Sequence, residues 1–242
     1  MAAKPDGELT RPKLSRSGVI RLATVALVFM VQVALFFGSA GTPSLPRGWI
    51  YYGGVFVYLA AAMAVLLVAF PESIEVVNER GTFKPDVKAW DKAFGVAYTI
   101  LMLVLPAVAG LDVGRFHGYV VTDAFAVPAL IVTVVAYLFV HWAMVVNKYA
   151  ETGVRVQPDR HQAVISTGPY ALVRHPFYAA LIATYLVYPL AIGSLYAYIP
   201  ALAIAAIFVW RTQREDWTLQ AELPGYTDYV ARVRYRLIPG VW

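Results

Sequence analysis

The sequence predicts an all-α integral membrane protein of five to six hydrophobic helices, including a C-terminal helical hairpin, with a polar cytoplasmic region. Three observations predict it. Only 14% of residues are charged, against about 25% in a soluble domain. Residues 22–46, 48–71, 93–111 and 124–140 contain no Asp, Glu, Lys, Arg or His. Basic residues collect in the segments between alternate apolar runs. Roughly 20 apolar residues cross about 30 Å of hydrocarbon as a helix, so each of these four runs suits one crossing. A soluble core built from 242 residues could not enclose so many apolar helices.

Taken in order, residues 1–18 form a polar cytoplasmic tail whose Pro5, Gly7 and Pro12 predict mobility. Residues 19–147 form a four-helix scaffold. The apolar stretch after the basic tail is too long for a signal-peptide core and reads as the first span. Its helices are joined by an outer loop rich in Gly and Pro (39–48), an inner loop of mixed charge (72–92) and a second outer loop (112–123). Pro106 and Pro128 kink or start helices, which membrane helices tolerate. His141, near the inner end of the fourth run, reads as an interfacial histidine packed against a neighbouring helix.

Residues 148–242 form a second region: a polar connector, a membrane hairpin and a polar C-terminal helix. The uncharged run 176–210 has 35 residues, about 52 Å as one straight helix and too long for an ordinary span. Pro189 and the pair Gly193-Ser194 sit near its middle, where a helix breaks or turns. The expectation is a hairpin of about 177–190 and 195–210.

Charge orients the chain. Of its 20 Lys and Arg, 18 fall in the tail through Arg21, in 71–92, in 148–175 and from Arg211 onward; Arg47 and Arg115 are the other two. Positive loops stay in the cytoplasm, so both termini are predicted to face inward. The isoelectric point of 9.3 then reflects orientation and contact with anionic membrane lipid, not nucleic acid. With no cysteine in the chain, disulfides, a thiol nucleophile and thiolate metal sites are excluded. His117, His141, His161 and His175 show no metal-ligand pairing, so no metal is expected.

Two motifs flank the hairpin. In Gly168-Pro169-Tyr170 and Arg174-His175-Pro176-Phe177-Tyr178, each proline holds the preceding residue extended, and Pro176 suits the first turn of a helix. His175 then stands at a helix N-terminus, where backbone donors favour an electron-rich ligand group. The same residues also suit a plain proline-initiated helix with interfacial anchors. In the second motif, Arg211, Glu215 and Leu219 recur every four residues on one helix face. Arg211 emerges where the apolar arm ends and could clamp a carboxylate in a guanidinium fork. An ordinary ion pair with snorkelling accounts for it equally simply. The closing segment, with Gly225-Tyr226, Tyr229 and Pro239, reads as a turn, a short amphipathic helix and a strap on the membrane surface.

In this order the motifs resemble the isoprenylcysteine carboxyl methyltransferase family, which groups with phospholipid methyltransferases. The resemblance covers residues 145–242; the first four helices match only as helices. It implies a membrane methyltransferase that uses S-adenosylmethionine without a Rossmann domain. Carried over by position, the cofactor contacts would be Gln157, Gln162, Ala163, Val164, Ile165, Tyr170, His175, Pro176, Phe177, Tyr178 and Glu215. Arg211 matches the residue that holds the substrate, and Arg211 and Glu215 are the catalytic candidates. The chain departs from the pattern at Gln162, where members often carry His, at Asp216, the second acid of a Glu pair, and at Ala180, where Gly is usual.

The expected substrate is a lipophilic small molecule or lipid-modified chain, with an isoprenylcysteine-type carboxylate favoured. Methyl transfer is an in-line displacement that needs alignment and water exclusion. A carboxylate acceptor needs no base; a thiol or amine would, and Glu215 could serve only if it does not hold the cofactor. Two other classes compete. A membrane reductase related to sterol reductases would need a basic cluster for the 2′-phosphate of NADPH, and none is evident. A transporter predicts ionisable residues near the centres of spans, and these runs have none.

Overall fold

A computed structural model describes residues 13–70, 73–80, 86–117 and 121–242. The tail through residue 12 and parts of the predicted inner loop (72–92) and second outer loop (112–123) lie outside the described residues. Those described are helical and include no strand: α1 (Arg16–Ala40), α2 (Pro46–Ala69), α3 (Ser73–Arg80), α4 (Ala89–Leu111), α5 (Ala126–Val146), α6 (Pro176–Ile192), α7 (Tyr198–Glu222) and α8 (Tyr226–Arg232). Four stretches, Arg16–Ala40, Pro46–Leu66, Ala89–Phe116 and Asp123–Val146, are long and apolar enough to cross a membrane, and Pro176–Ile192 is a shorter apolar helix. The chain is an integral membrane protein.

The helices run up and down, so their ends gather at two ends of a bundle. α1 starts at Ser15, whose hydroxyl accepts the Gly18 N–H at 3.2 Å. The Ser15 backbone N–H meets Asn78 Oδ1 of α3 at 2.9 Å. The predicted inner loop therefore contains a short helix that clips onto the start of α1. At the far end α4 does not stop at Leu111. It winds on as a π-turn over Asp112–Phe116, because Asp112 is buried and accepts the Ser194 hydroxyl at 2.6 Å. Pro106 lies inside α4, and Pro128 falls in the first turn of α5.

The hairpin forms with shifted limits. α6 continues through Pro189 and ends at Gly193, which takes the left-handed conformation (φ 92°) open to glycine and returns its N–H to Pro189 O at 2.9 Å. Pro189 forgoes the hydrogen bond to the Tyr185 carbonyl, yet the helix runs on past it, so the glycine and not the proline sets the break. α7 then runs without interruption past Trp210 to Glu222, so the apolar arm and the polar Glu215 motif are one helix. At 25 residues it is about 37 Å long.

Side-chain packing fixes the helix order. Phe36, Tyr52, Tyr188, Ile204 and Phe208 form the buried centre. Phenol groups there pair with each other, Tyr52 with Tyr188 at 2.8 Å and Tyr98 with Tyr185 at 2.5 Å, as buried hydroxyls must in an apolar bundle. His141 Nδ1 lies 2.9 Å from Tyr58 Oη of α2. At the far end Arg115 Nε donates to Ser39 O at 2.7 Å. Arg47 donates to Leu190 O, to Ala191 O at 3.2 Å and to Val121 O at 2.6 Å. Each arginine thus covers carbonyls that a helix C-terminus leaves open.

α1 and α4 touch through glycine. A Cβ on Gly110 would stand 2.1 Å from the Phe36 carbonyl oxygen, which is backbone and cannot swing away. Gly110→Ala is expected to lower stability by about 1–3 kcal/mol through overpacking, seen as a reduced thermal midpoint in detergent. Gly95→Ala, with nothing within 4 Å of the new atom, should leave that midpoint unchanged or raise it.

Candidate functional site

The site lies at the end of the bundle where α6 begins and the apolar half of α7 ends. The connector leading to it has little regular structure, so polar contacts hold it. Arg155 is its main pin. It pairs with Glu151 at 2.8 Å and with Asp159 at 2.8 Å, and reaches Asp86 at 3.3 Å beside α4. Hydrogen bonds from its guanidinium to Glu151 and Asp159 raise its already high pKa, so the charge is permanent.

Of the predicted cofactor residues, Gln157 is buried and committed. Its Nε2 donates to Tyr149 O at 2.8 Å, its Oε1 accepts from Arg160 at 3.0 Å, and its backbone N–H donates to Gln162 Oε1 at 2.7 Å. Val164 packs against the Leu223, Tyr226 and Tyr229 cluster. Gln162 and Ile165 are half-buried and Ala163 is exposed. Tyr170 is buried; its hydroxyl accepts from Asn147 at 3.2 Å and its carbonyl from the Tyr229 hydroxyl at 2.7 Å.

The turn into α6 is shaped by the C-terminal strap. The Arg174 and His175 N–H groups donate to Tyr235 O and Arg236 O, both at 2.9 Å, while Tyr178 and Ala179 N–H return to His175 O at 3.1 Å. Most of the backbone donors expected to be open at this helix start are therefore satisfied within the chain. Pro176 removes another, having no N–H.

Asp216 organises what lies beneath. It has no exposed surface. Arg174 binds it through two bonds of 2.8 and 3.0 Å, Arg236 through one of 2.9 Å, Gln220 at 3.0 Å, Tyr226 at 3.1 Å and His175 Nε2 at 3.3 Å. Burial alone would favour the neutral acid, but the hydrogen bonds and charges of His175, Arg174 and Arg236 outweigh it and hold the carboxyl well below the usual range. Burial, reinforced by the Asp216 charge, raises the Tyr226 phenol.

The neighbouring acid points elsewhere. Glu215 is half-buried, and its Oε2 accepts the Tyr178 hydroxyl at 2.5 Å. No described residue hydrogen-bonds its Oε1. Tyr178 stacks on His175 with centroids 5.8 Å apart and planes 7° from parallel, and Phe177 meets its edge. Arg211 lies against the same ring, 5.0 Å from its centroid and 4.5 Å from that of Phe94. Its guanidinium is already forked onto the buried Asp91, at 2.8 and 3.2 Å, and Nη2 also donates to Thr152 O at 3.0 Å. Only Nη1 is left without a partner among the described residues.

His175, Tyr178, Arg211 and Glu215 are thus brought together. Gln157 and Gln162 form a separate group, with no hydrogen bond to Tyr178 or Glu215; the two meet through the Val164 contact with the cluster around Tyr226. Pro176 faces away from both, into an apolar cavity of about 340 Å³ between α5 and α6 that Leu237 and Pro239 close. Sequence reasoning missed Asp91 and the part played by Asp216 and Arg174. A lone acid opening an apolar run, as Asp91 does, was the available signal.

Asp216→Asn should cost about 3–5 kcal/mol, because two arginines lose their buried counter-charge. A carboxyl depressed on folding contributes fully above its unfolded pKa, near 4, and less as pH falls toward its folded value. Thermal midpoints in detergent should therefore drop between about pH 4 and 3 in the parent protein, and drop less in the variant.

Residues 129–221 match the model of the Isoprenylcysteine carboxyl methyltransferase (ICMT) family. No curated protein matches the chain. The matched stretch runs from α5 to the end of α7 and contains Arg174, His175, Tyr178, Arg211, Glu215 and Asp216, whereas Asp91, Tyr226 and Arg236 lie outside it. The stretch that holds every predicted site residue is therefore the stretch that matches the ICMT family model.

Proposed function

We propose that this chain is an S-adenosylmethionine-dependent membrane methyltransferase that acts on a lipophilic acceptor, with a carboxylate of isoprenylcysteine type favoured. The observation that carries this reading is the meeting of Glu215, Tyr178 and Arg211 within the family-matched stretch, where α7 leaves its apolar half. The biased distribution of Lys and Arg supports a cytoplasmic position for this end of the bundle and for both termini.

The residues suit the cofactor. A carboxylate with one uncommitted oxygen, bonded to a tyrosine hydroxyl, favours a cationic ligand or a pair of ribose hydroxyls. When bound, S-adenosylmethionine supplies a methyl group on a sulfonium carbon. Glu215 and Tyr178 would hold it, with His175 fixing the Tyr178 ring from behind.

Arg211 has a narrower role than a free fork. Asp91 and Thr152 hold it in one pose between the Phe94 and Tyr178 rings, so Nη1 is oriented before any acceptor arrives. An acceptor carboxylate is already ionised and transfers no proton, so it needs a positioned donor and not a base. The rings that sandwich the guanidinium also keep water from it, which strengthens the contact.

Glu215→Ala should abolish binding of S-adenosylhomocysteine in isothermal titration calorimetry while leaving the thermal midpoint nearly unchanged, because its side chain is only half-buried. Arg211→Gln is best made with Asp91→Asn, so that no buried charge is stranded. The double variant should keep S-adenosylhomocysteine binding and lose about 100-fold in transfer of labelled methyl to an S-prenylcysteine analogue. Full turnover in both proteins would refute the assignment.

A further inference from the structure

The outer side of α7 carries an apolar stripe that includes Ile199, Leu202 and Val209, all exposed. One turn further along the same side the stripe changes character. Trp210 is 41% exposed and Trp217 50%, and between them Arg214 is exposed as well. Trp90, from the first turn of α4, meets Trp210 edge to face at 5.7 Å. The Arg214 guanidinium carbon lies 5.9 Å from the Trp90 ring centre and 5.8 Å from that of Trp210.

This cation has no carboxylate partner among the described residues. The acids on nearby turns are engaged elsewhere: Glu215 with Tyr178, Asp216 with Arg174 and Arg236, Asp91 with Arg211, and Asp86 with Arg155. Two indoles take up the apolar surface of the guanidinium and hold its orientation, while its in-plane N–H groups remain available. The depth is set by the helix itself. Everything before Trp210 on this side is apolar, so Arg214 and the three tryptophans stand where hydrocarbon gives way to headgroups, the level indoles prefer.

We propose that Arg214, backed by Trp90 and Trp210, is a binding site for the phosphate of an anionic phospholipid. Guanidinium and phosphate match as a fork of two charge-assisted hydrogen bonds, and the exposed stripe of α7 below gives the acyl chains a surface to follow. A lipid is favoured over free phosphate because the flanking apolar surface is continuous with the site. The inference needs only the membrane embedding of α4 and α7 and is independent of the methyl-transfer reading.

The test is the thermal midpoint of the purified full chain in detergent, titrated with phosphatidylglycerol, phosphatidylcholine or inorganic phosphate. Phosphatidylglycerol should raise the midpoint saturably, and the other two should raise it much less. Arg214→Gln should weaken the half-saturation concentration about tenfold. Arg214→Lys, which keeps the charge and loses the fork, should fall between. Arg232→Gln, which removes an exposed cation on α8, should behave as the parent. Equal shifts from both lipids, a full shift from phosphate alone, or an unchanged response in Arg214→Gln would overturn the proposal.

Discussion

The junction of α6, α7, α8 and the terminal strap is arranged around one buried carboxylate. Asp216 sits on α7, yet its partners come from the turn before α6, from α8 and from the terminal strap. Each of these segments is short and could not hold its position alone. Removing two arginines from water is costly, and the cost is offset only when all of them converge on the same two oxygens. The hub therefore acts as a geometric condition. The strap must close over residues 174–175, and α8 must fold back along α7, for the charges to be satisfied together.

The adjacent acid shows how one helix serves two purposes. Consecutive residues on a helix point about 100° apart, so Asp216 turns into the hub while Glu215 faces Tyr178. Hub and site remain joined, because His175 touches Asp216 with its edge and stacks on Tyr178 with its face. The structural carboxylate thus sets the ring that sets the tyrosine that meets Glu215. Arg211 is positioned in a comparable way from the other side by Asp91, which α4 supplies.

Much of the architecture was legible in the chain because hydrocarbon imposes simple demands. Uncharged runs of spanning length became α1, α2, α4 and α5, and the over-long last run folded back. The clustering of His175, Tyr178, Arg211 and Glu215 followed from two motifs on either side of a short hairpin, which must end near each other. What could not be read depends on distant pairing. Nothing local marks Asp91 as the partner of Arg211, 120 positions later. Asp112 looked like the end of a span, whereas its bond to Ser194 keeps the backbone coiled for another turn. The expected fork at Arg211 failed to anticipate this competition: a guanidinium at a lipid boundary satisfies itself within the chain when an acid is in reach, and only Nη1 is left without a partner among the described residues.

Arg47 and Arg115, the two cations that stand apart from the basic segments, gain a plain explanation from the far end of the bundle. Their guanidinium groups are turned onto backbone carbonyls at the ends of α6 and α1, where the helix dipoles leave partial negative charge. Each therefore behaves as an internal counter-ion and contributes little positive field beyond the surface. The two ends thus satisfy arginine differently, with backbone carbonyls and Asp123 at one and the buried carboxylates Asp216 and Asp91 at the other.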